Sequence, residues 1–310
     1  CRMNRTVLTF LTILCLSSTA LLMGTKISVK GSPDVIHVPE DYEKIQWAIG
    51  NATIGATILV GTGTYYEHLV VDKSISLIGQ EMENTVIDGN RIQSVVRITS
   101  DNVTIMNFTV RNSGWDWITS DSGIFVDRFV NGCNLSHNTL SNNHIGVFAL
   151  QSSDIILSGN TILNNNNGVW LEGSGKNTLV ENTVLNNWVK GIYLVYTDNN
   201  TLARNIVSNN YNGIILGGTS NNTLICNNIT HNVENFGVMG FSPSTFIHNI
   251  DTSNLVDGKR IYYLINQRDV FIDPTTFPDV GYLAVVNSTN VSIRNLNLTD
   301  NFQGLLLAYT

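Results

Sequence analysis

Between Cys133 and about Gly240 one pattern recurs every 22 or 23 residues. Leu135, Leu157, Leu179, Leu202 and Leu224 each stand three residues before an asparagine: Asn138, Asn160, Asn182, Asn205 and Asn227. Two residues on comes an apolar side chain (Leu140, Ile162, Val184, Val207, Ile229), and three further on a second asparagine (Asn143, Asn165, Asn187, Asn210, Asn232). A glycine then opens a short apolar run at Gly146, Gly168, Gly191, Gly213 and Gly237. Self-similarity at this period marks a solenoid. Inside each repeat, apolar and polar residues alternate with strand periodicity, and Asn or Gly punctuates every short run. A coil of two or three short strands, stacked in parallel on its neighbours, satisfies all of this. The chain is predicted to be an all-β parallel β-helix, with any function built on its faces.

At 310 residues such a solenoid is one unit rather than two packed domains. Charged residues make up only 13%, about half the usual share, and 41 asparagines supply the missing polarity. The net charge is −7 and no basic stripe interleaves with aromatics, so nucleic acid is not an expected partner. Cys1 and Cys15 fall in the N-terminal segment. Cys133 and Cys226 are four repeats apart, roughly 19 Å in a stack with strand spacing, which is too far for a disulfide. Both are expected to be small core thiols.

Residues 1–25 have the pattern of a signal peptide or N-terminal anchor: Arg2 and Arg5, an apolar stretch from Val7 to Leu16, and Ser18-Thr19-Ala20 as a small-residue cleavage site. This segment is the one expected contact with a membrane. Residues 26–34 follow as a linker, and 35–100 as an N-terminal cap with the first coils. A helix is expected to start at Pro39-Glu40-Asp41, to turn Ile45, Ala48 and Ile49 to one side, and to stop at Gly50. It would cover the open backbone edge of the first coil. The β-helix repeats fill 101–310, interrupted at 254–280 by a stretch expected to occupy one irregular coil. The chain stops at Thr310, seven residues into a repeat that opens at Gly304, and is read as a piece of a longer protein.

The entrance, VPEDYEKIQWAIGNA followed by ATILVGTGTYYEHLVVDKSISLIGQ, resembles the start of pectin-methylesterase-type and NosD-type right-handed β-helices. The repeats resemble the NosD-like group, also called the carbohydrate-binding and sugar-hydrolysis (CASH) domain, common in archaeal surface proteins. The run Gly258-Lys259-Arg260-Ile261-Tyr262-Tyr263-Leu264 is similar to an insertion typical of that group. The resemblance covers about 35–310. It implies a right-handed, single-stranded, pectin-lyase-like parallel β-helix with an N-terminal capping helix, secreted or on the cell surface. For activity it implies a range, from polysaccharide enzymes to a periplasmic copper-maturation factor.

The asparagine column Asn138, Asn160, Asn182, Asn205 and Asn227 is assigned to structure, because Asn tolerates the positive φ of stacked turns and its amides can bond from coil to coil. In the strand opened by each Gly, the first and third residues are apolar and point inward, so the second must point outward. That position is Phe125, Phe148, Trp170 and Tyr193, then Ile215 and Met239. Aromatics in register form a flat apolar strip on which the C–H faces of sugar rings could stack, with Trp115 and Trp117 of the 113–122 loop beside it. The competing expectation is that this loop or a neighbouring domain covers the strip. Beside it lie Asp127 and Glu172, two coils and about 10 Å apart, near the separation inverting glycosidases use; Asp116 is a third candidate. The motifs of known β-helix polygalacturonases, pectin methylesterases and pectate lyases are missing. The six histidines fall on different ladder positions and Met106 and Met239 stand apart, so no copper site and no other metal ligand set is expected. Asp116 and Asp121 mark the one place for an isolated Ca²⁺. Beyond residue 25, ten Asn-x-Ser/Thr triplets are potential glycan acceptors in an exported protein. The resulting reading is a secreted or cell-surface, non-catalytic module that binds polysaccharide or a surface glycan, or serves as structure among neighbouring domains. The alternatives are a polysaccharide hydrolase or lyase, and a NosD-type copper-handling factor.

Overall fold

The computed structural model describes residues 34–310; the segment 1–25 expected to be a signal or anchor, and the expected linker up to 33, lie outside the described residues. The chain winds into a right-handed parallel β-solenoid of about 12 turns. Its strands line up in three long sheets. Sheet A has ten strands, from Val35–Val38 to Asn249–Ile250; sheet B has twelve, from Gly63–Tyr65 to Leu306–Ala308; sheet C has eight, from Leu69–Val71 to Glu234–Met239. A regular coil passes through Ser122–Val126 in sheet C, Asn134–Ser136 in A and Thr139–Ser141 in B, and Ile145–Leu150 then begins the next coil.

The repeat positions become vertical rows. Leu135, Leu157, Leu179, Leu202 and Leu224 are successive partners in sheet A. Leu140, Ile162, Val184, Val207 and Ile229 are partners in sheet B. Val147, Val169, Ile192 and Ile214 form the inner row of sheet C. All fourteen are at most 1% exposed, each contributing about 2 kcal/mol by its removal from water.

The corners are held by amides. Asn160 Oδ1 accepts the Asn138 backbone N–H at 2.9 Å, while its Nδ2 donates to the Leu135 carbonyl at 2.8 Å and to Asn182 Oδ1 at 2.9 Å. The column continues through Asn205 and Asn227 and closes on Asn254. Asn143, Asn165, Asn187, Asn210 and Asn232 form a second column, which closes on Asn235. The positive φ expected of the first column falls instead on the residue before each ladder asparagine: His137, Gly159, Glu181, Arg204 and Cys226, at 53° to 62°. The ladder asparagines act through their buried amides alone. Cys226 is therefore a half-buried turn residue and not a core thiol, whereas Cys133 is fully buried as expected. A third column, Asn177, Asn200 and Asn222, was not anticipated; it closes on His248, whose Nδ1 accepts the Asn222 N–H at 3.4 Å.

The glycine second in each regular sheet C strand, from Gly123 to Gly213, is required by close approach. A Cβ on Gly168 would lie 2.5 Å from the Gly191 carbonyl oxygen and 2.8 Å from Val184 Cγ1. At the last coil the pattern shifts: Asn235 pairs in the glycine place, Phe236 takes the inner position, and Gly237 lies in the outward row opposite Ile215. Met239, expected in that row, is opposite Gly217 instead. The space above Gly237 is filled by Phe302, whose segment bonds to this strand through Phe302 N–H to the Phe236 carbonyl.

The capping helix spans Ile45–Asn51, later than its expected start at Pro39, with Ile45, Ala48 and Ile49 buried. No acidic residue lies in its first turn; Glu67 does that work from a distance, accepting the Ile45 and Gln46 N–H groups at 2.9 and 3.0 Å. Residues 254–280 do more than fill one coil. Leu255–Val256 and Lys259–Ile265 form an antiparallel hairpin, the second strand continues sheet B against Val280–Val286, and Arg268–Ile272 pairs with Thr289–Ile293 as a separate two-stranded sheet. That sheet shelters a small second core around Tyr262, Ile272 and Leu283.

Candidate functional site

On the outer face of sheet C, strand pairing places Val70, Arg97, Phe125, Phe148, Trp170, Tyr193 and Ile215 in one vertical row. The four rings are vertical neighbours, with centroids 5.3, 5.7 and 5.5 Å apart. They do not make the expected flat strip. Phe125 and Phe148 stack at 12°, but Phe148 to Trp170 and Trp170 to Tyr193 turn to 68° and 62°, the edge-to-face arrangement that ring quadrupoles favour. Phe148, flanked by a ring on each side, is only 4% exposed; the other three are half-buried. Cations cover both ends. Arg97 lies over Phe125 at 5.7 Å, and the Lys190 ammonium sits 3.6 Å from the Tyr193 centroid and 5.1 Å from that of Trp170. Burial lowers the Lys190 pKa, and no carboxylate among the described residues pairs with it. Burial likewise raises that of Tyr193, with Tyr196 and Glu172 adding to the effect.

The 113–122 loop runs along one border of this face. Asp121 staples it: Oδ2 accepts the Asp116 N–H and Oδ1 the Thr119 hydroxyl, at 3.1 and 2.8 Å. Thr119 and Asp121, with His68, Gln93, Arg97 and Phe125, line a cleft of about 420 Å³ at the first-coil end of the row. Trp115 leans away from the row onto His144 and Trp188, at 5.6 and 6.2 Å, and Trp117 projects outward, 77% exposed. The loop therefore flanks the rings.

Five aromatics that the repeat pattern did not single out join this face. Trp188 and Tyr211 are exposed in the turns leading into sheet C; Phe129, Tyr196 and Phe241 are exposed in the turns leading out of it. Together with Trp115 and Trp117, they are all the exposed aromatics between residues 101 and 250, and every one borders sheet C. Over the same coils the outer rows of sheets A and B carry Thr, Ser, Asn and aliphatic residues with Met106 and Arg111, and no ring. Periodicity assigns in and out along strands, so aromatics in turns gave no such signal.

The candidate carboxylates are mostly engaged. Asp127 Oδ2 takes both Arg97 Nη2 and Nε, at 2.5 and 3.0 Å, and its Oδ1 accepts the Arg128 N–H. Asp116 Oδ1 accepts the Ile118 N–H of its own loop. The carboxylate of Glu172, which stands opposite Leu150 and Val195, makes no hydrogen bond among the described residues. These residues do not assemble a free acid and base pair facing one space.

Among the described residues, no three of His, Cys, Asp and Glu converge as metal ligands would. Cys133 is buried and its thiol is pushed up to about 11, chiefly by desolvation. His248 is pushed down to about 4 for the same reason, and burial also lowers His144, against the opposing pull of Asp121 and Asp116. These side chains do not fit a copper site, which needs soft or imidazole ligands grouped in space. No helix of the described residues is long and apolar enough to cross a membrane.

Residues 83–258, more than half of the chain, match the family model described as "Periplasmic copper-binding protein (NosD)". A "Cell surface glycoprotein" of Methanothermus fervidus is 30% identical over 128 residues, which cover 39% of this chain and 20% of that protein. The chain thus spans about a fifth of that relative's length. Among solved structures, an alginate lyase from Paenibacillus sp. str. FPU-7 superposes with a TM-score of 0.63 at 13% identity, over 89% of this chain and 100% of the other. A polygalacturonase from Erwinia carotovora ssp. carotovora gives a TM-score of 0.59 at 11% identity, over 94% and 100%. At these identities the structural likeness speaks for the fold.

Proposed function

The chain belongs to the NosD family, and from that premise we propose an extracytoplasmic β-helix module that holds a polysaccharide or surface glycan against sheet C without cleaving it. The observation that carries this reading is the segregation of aromatic side chains. Three half-buried rings and the buried Phe148 run up the centre of sheet C, exposed rings stand along both of its borders, and the outer faces of the other two sheets carry none over the same coils. Rings one coil apart, with centroids 5.3 to 5.7 Å from one to the next, offer a polymer laid along the row successive apolar contacts. Arg97 and Lys190 add hydrogen-bond donors at the two ends of the row. The names of the similar proteins, a cell surface glycoprotein and two enzymes of polysaccharides, agree with an extracytoplasmic place and a carbohydrate ligand. Engagement of Asp127 and Asp116 in local bonds favours binding over hydrolysis.

Affinity electrophoresis through gels carrying a panel of neutral and acidic polysaccharides tests this. The wild-type chain should be retarded by at least one polymer. The pair Tyr193→Ala and Tyr196→Ala should weaken retardation roughly tenfold, as loss of central aromatic contacts does. Phe271→Ala, an exposed ring on the separate two-stranded sheet, should leave it unchanged. A wild type that no polymer retards, or a double variant that runs like wild type, rejects the reading. New polymer ends appearing with time would replace it with the lyase or hydrolase alternative.

A further inference from the structure

The ten Asn-x-Ser/Thr triplets of the described residues differ in whether the folded chain leaves their chemistry available. Transfer of a glycan joins the asparagine Nδ2 to the anomeric carbon of an oligosaccharide carried on a lipid phosphate. The sugar–phosphate C–O bond breaks, the lipid phosphate leaves with the electron pair, and the amide gives up one proton. Both the amide and the hydroxyl two residues later must therefore be reachable and unbonded.

Six triplets fail that condition. Asn51, Asn287 and Asn290 donate their Nδ2 to the Trp47 carbonyl, Asn266 Oδ1 and Asp269 Oδ1, at 2.9, 2.6 and 2.6 Å. For Asn107 and Asn228 the partner hydroxyl is tied: Thr109 to the Met82 carbonyl and Thr230 to Asp257 Oδ1, each at 2.9 Å. The partner of Asn134, Ser136, is 2% exposed. The other four, Asn102, Asn199, Asn221 and Asn297, are exposed, and Thr104, Thr201, Thr223 and Thr299 are half-buried or exposed. None of these eight side chains makes a hydrogen bond among the described residues.

Three of the four share one corner. Thr104, Thr201 and Thr223 stand in one outer row of sheet A, so Asn102, Asn199 and Asn221 line the turn from sheet C into sheet A, all at φ of 54° to 61°. No triplet falls within a sheet C strand. We propose that Asn102, Asn199, Asn221 and Asn297 are the N-glycosylated residues of this chain, giving the solenoid a glycan fringe along one corner while the outer face of sheet C stays bare. The inference rests on the extracytoplasmic part of the proposed function and not on its carbohydrate ligand.

Peptide mass spectrometry of the full chain recovered from its own cells, beside protease shaving of intact cells to fix its location, tests it. Peptides with Asn102, Asn199, Asn221 and Asn297 should carry oligosaccharide masses, and those with Asn51, Asn134, Asn287 and Asn290 should not. Thr104→Val, Thr201→Val and Thr223→Val keep each asparagine turn and should each abolish the modification at their own site. A shaved, surface-exposed chain that is unmodified at the four sites overturns the inference and leaves the location standing. Modification at Asn134 or Asn290 in place of the four also overturns it. A chain that resists shaving in intact cells removes the location and the inference together.

Discussion

The three asparagine columns solve one problem at the scale of a residue: a buried corner must satisfy its backbone groups, and one amide with two donors and an acceptor does so while reaching the next coil. Where the third column ends, an imidazole stands in for the amide. His248 accepts the Asn222 N–H, but Asn222 Nδ2 is buried with no partner among the described residues, and burial holds the imidazole pKa down to about 4. The native chain thus favours neutral His248, while the unfolded chain takes up its proton as pH falls below about 6.5. Stability should decline between about pH 6.5 and 4 and level off below, by about 3 kcal/mol from this residue, with His144 pulling the same way. Urea titrations across that range should show a shallower slope for His248→Asn, whose Oδ1 would extend the column. His248→Leu should flatten the slope too, yet cost about 1–3 kcal/mol at pH 7 by stranding the Asn222 N–H. A wild-type slope in either variant would assign the acid sensitivity elsewhere.

At the scale of an element, the sheet C strand was the most legible part of the sequence. Its inward aliphatics and its Phe–Phe–Trp–Tyr row follow from period-two alternation repeated every coil, and both hold in register. What alternation could not reveal was ring tilt, which depends on packing between neighbours, or the Arg97 to Asp127 ion pair, which joins side chains 30 residues apart. Nor could it place Trp188, Tyr211 and Tyr196, because turn residues have no fixed side. The last coil was misread for a physical reason: Asn235 fills the glycine place, so the next glycine mimicked the motif two residues late. The glycine itself is demanding where it is real. Gly168→Ala would drive a methyl against the Gly191 carbonyl and Val184, and should cost about 1–3 kcal/mol in thermal or chemical unfolding. Gly50→Ala, within the capping helix and with nothing inside 4 Å, should be neutral or slightly stabilising. Equal effects would mean the corner has slack that the contact distances deny.

At the scale of the whole molecule, a solenoid has to close its ends, since each terminal strand offers unpaired backbone to any other chain. The expected cap is present and its chemistry is specific. Gln46 meets the edge strand Leu69–Val71 with its amide, Oε1 accepting the Val70 N–H at 2.7 Å and Nε2 donating to the Val70 carbonyl at 3.3 Å, while Lys73 collects the carbonyls of Ile49, Gly50 and Ala52. Gln46→Ala should therefore increase association relative to wild type in light scattering over a concentration series, and Ile49→Glu should do so more strongly. An unchanged scattering mass in both would show the edge to be guarded by other means. Inside the stack lies Cys133, fully buried, with its thiol kept protonated. Only the thiolate attacks an alkylating reagent, so this sulfur stays silent while the coils are in contact and reacts when they part. The chain thus carries a native stopwatch for the opening of its middle.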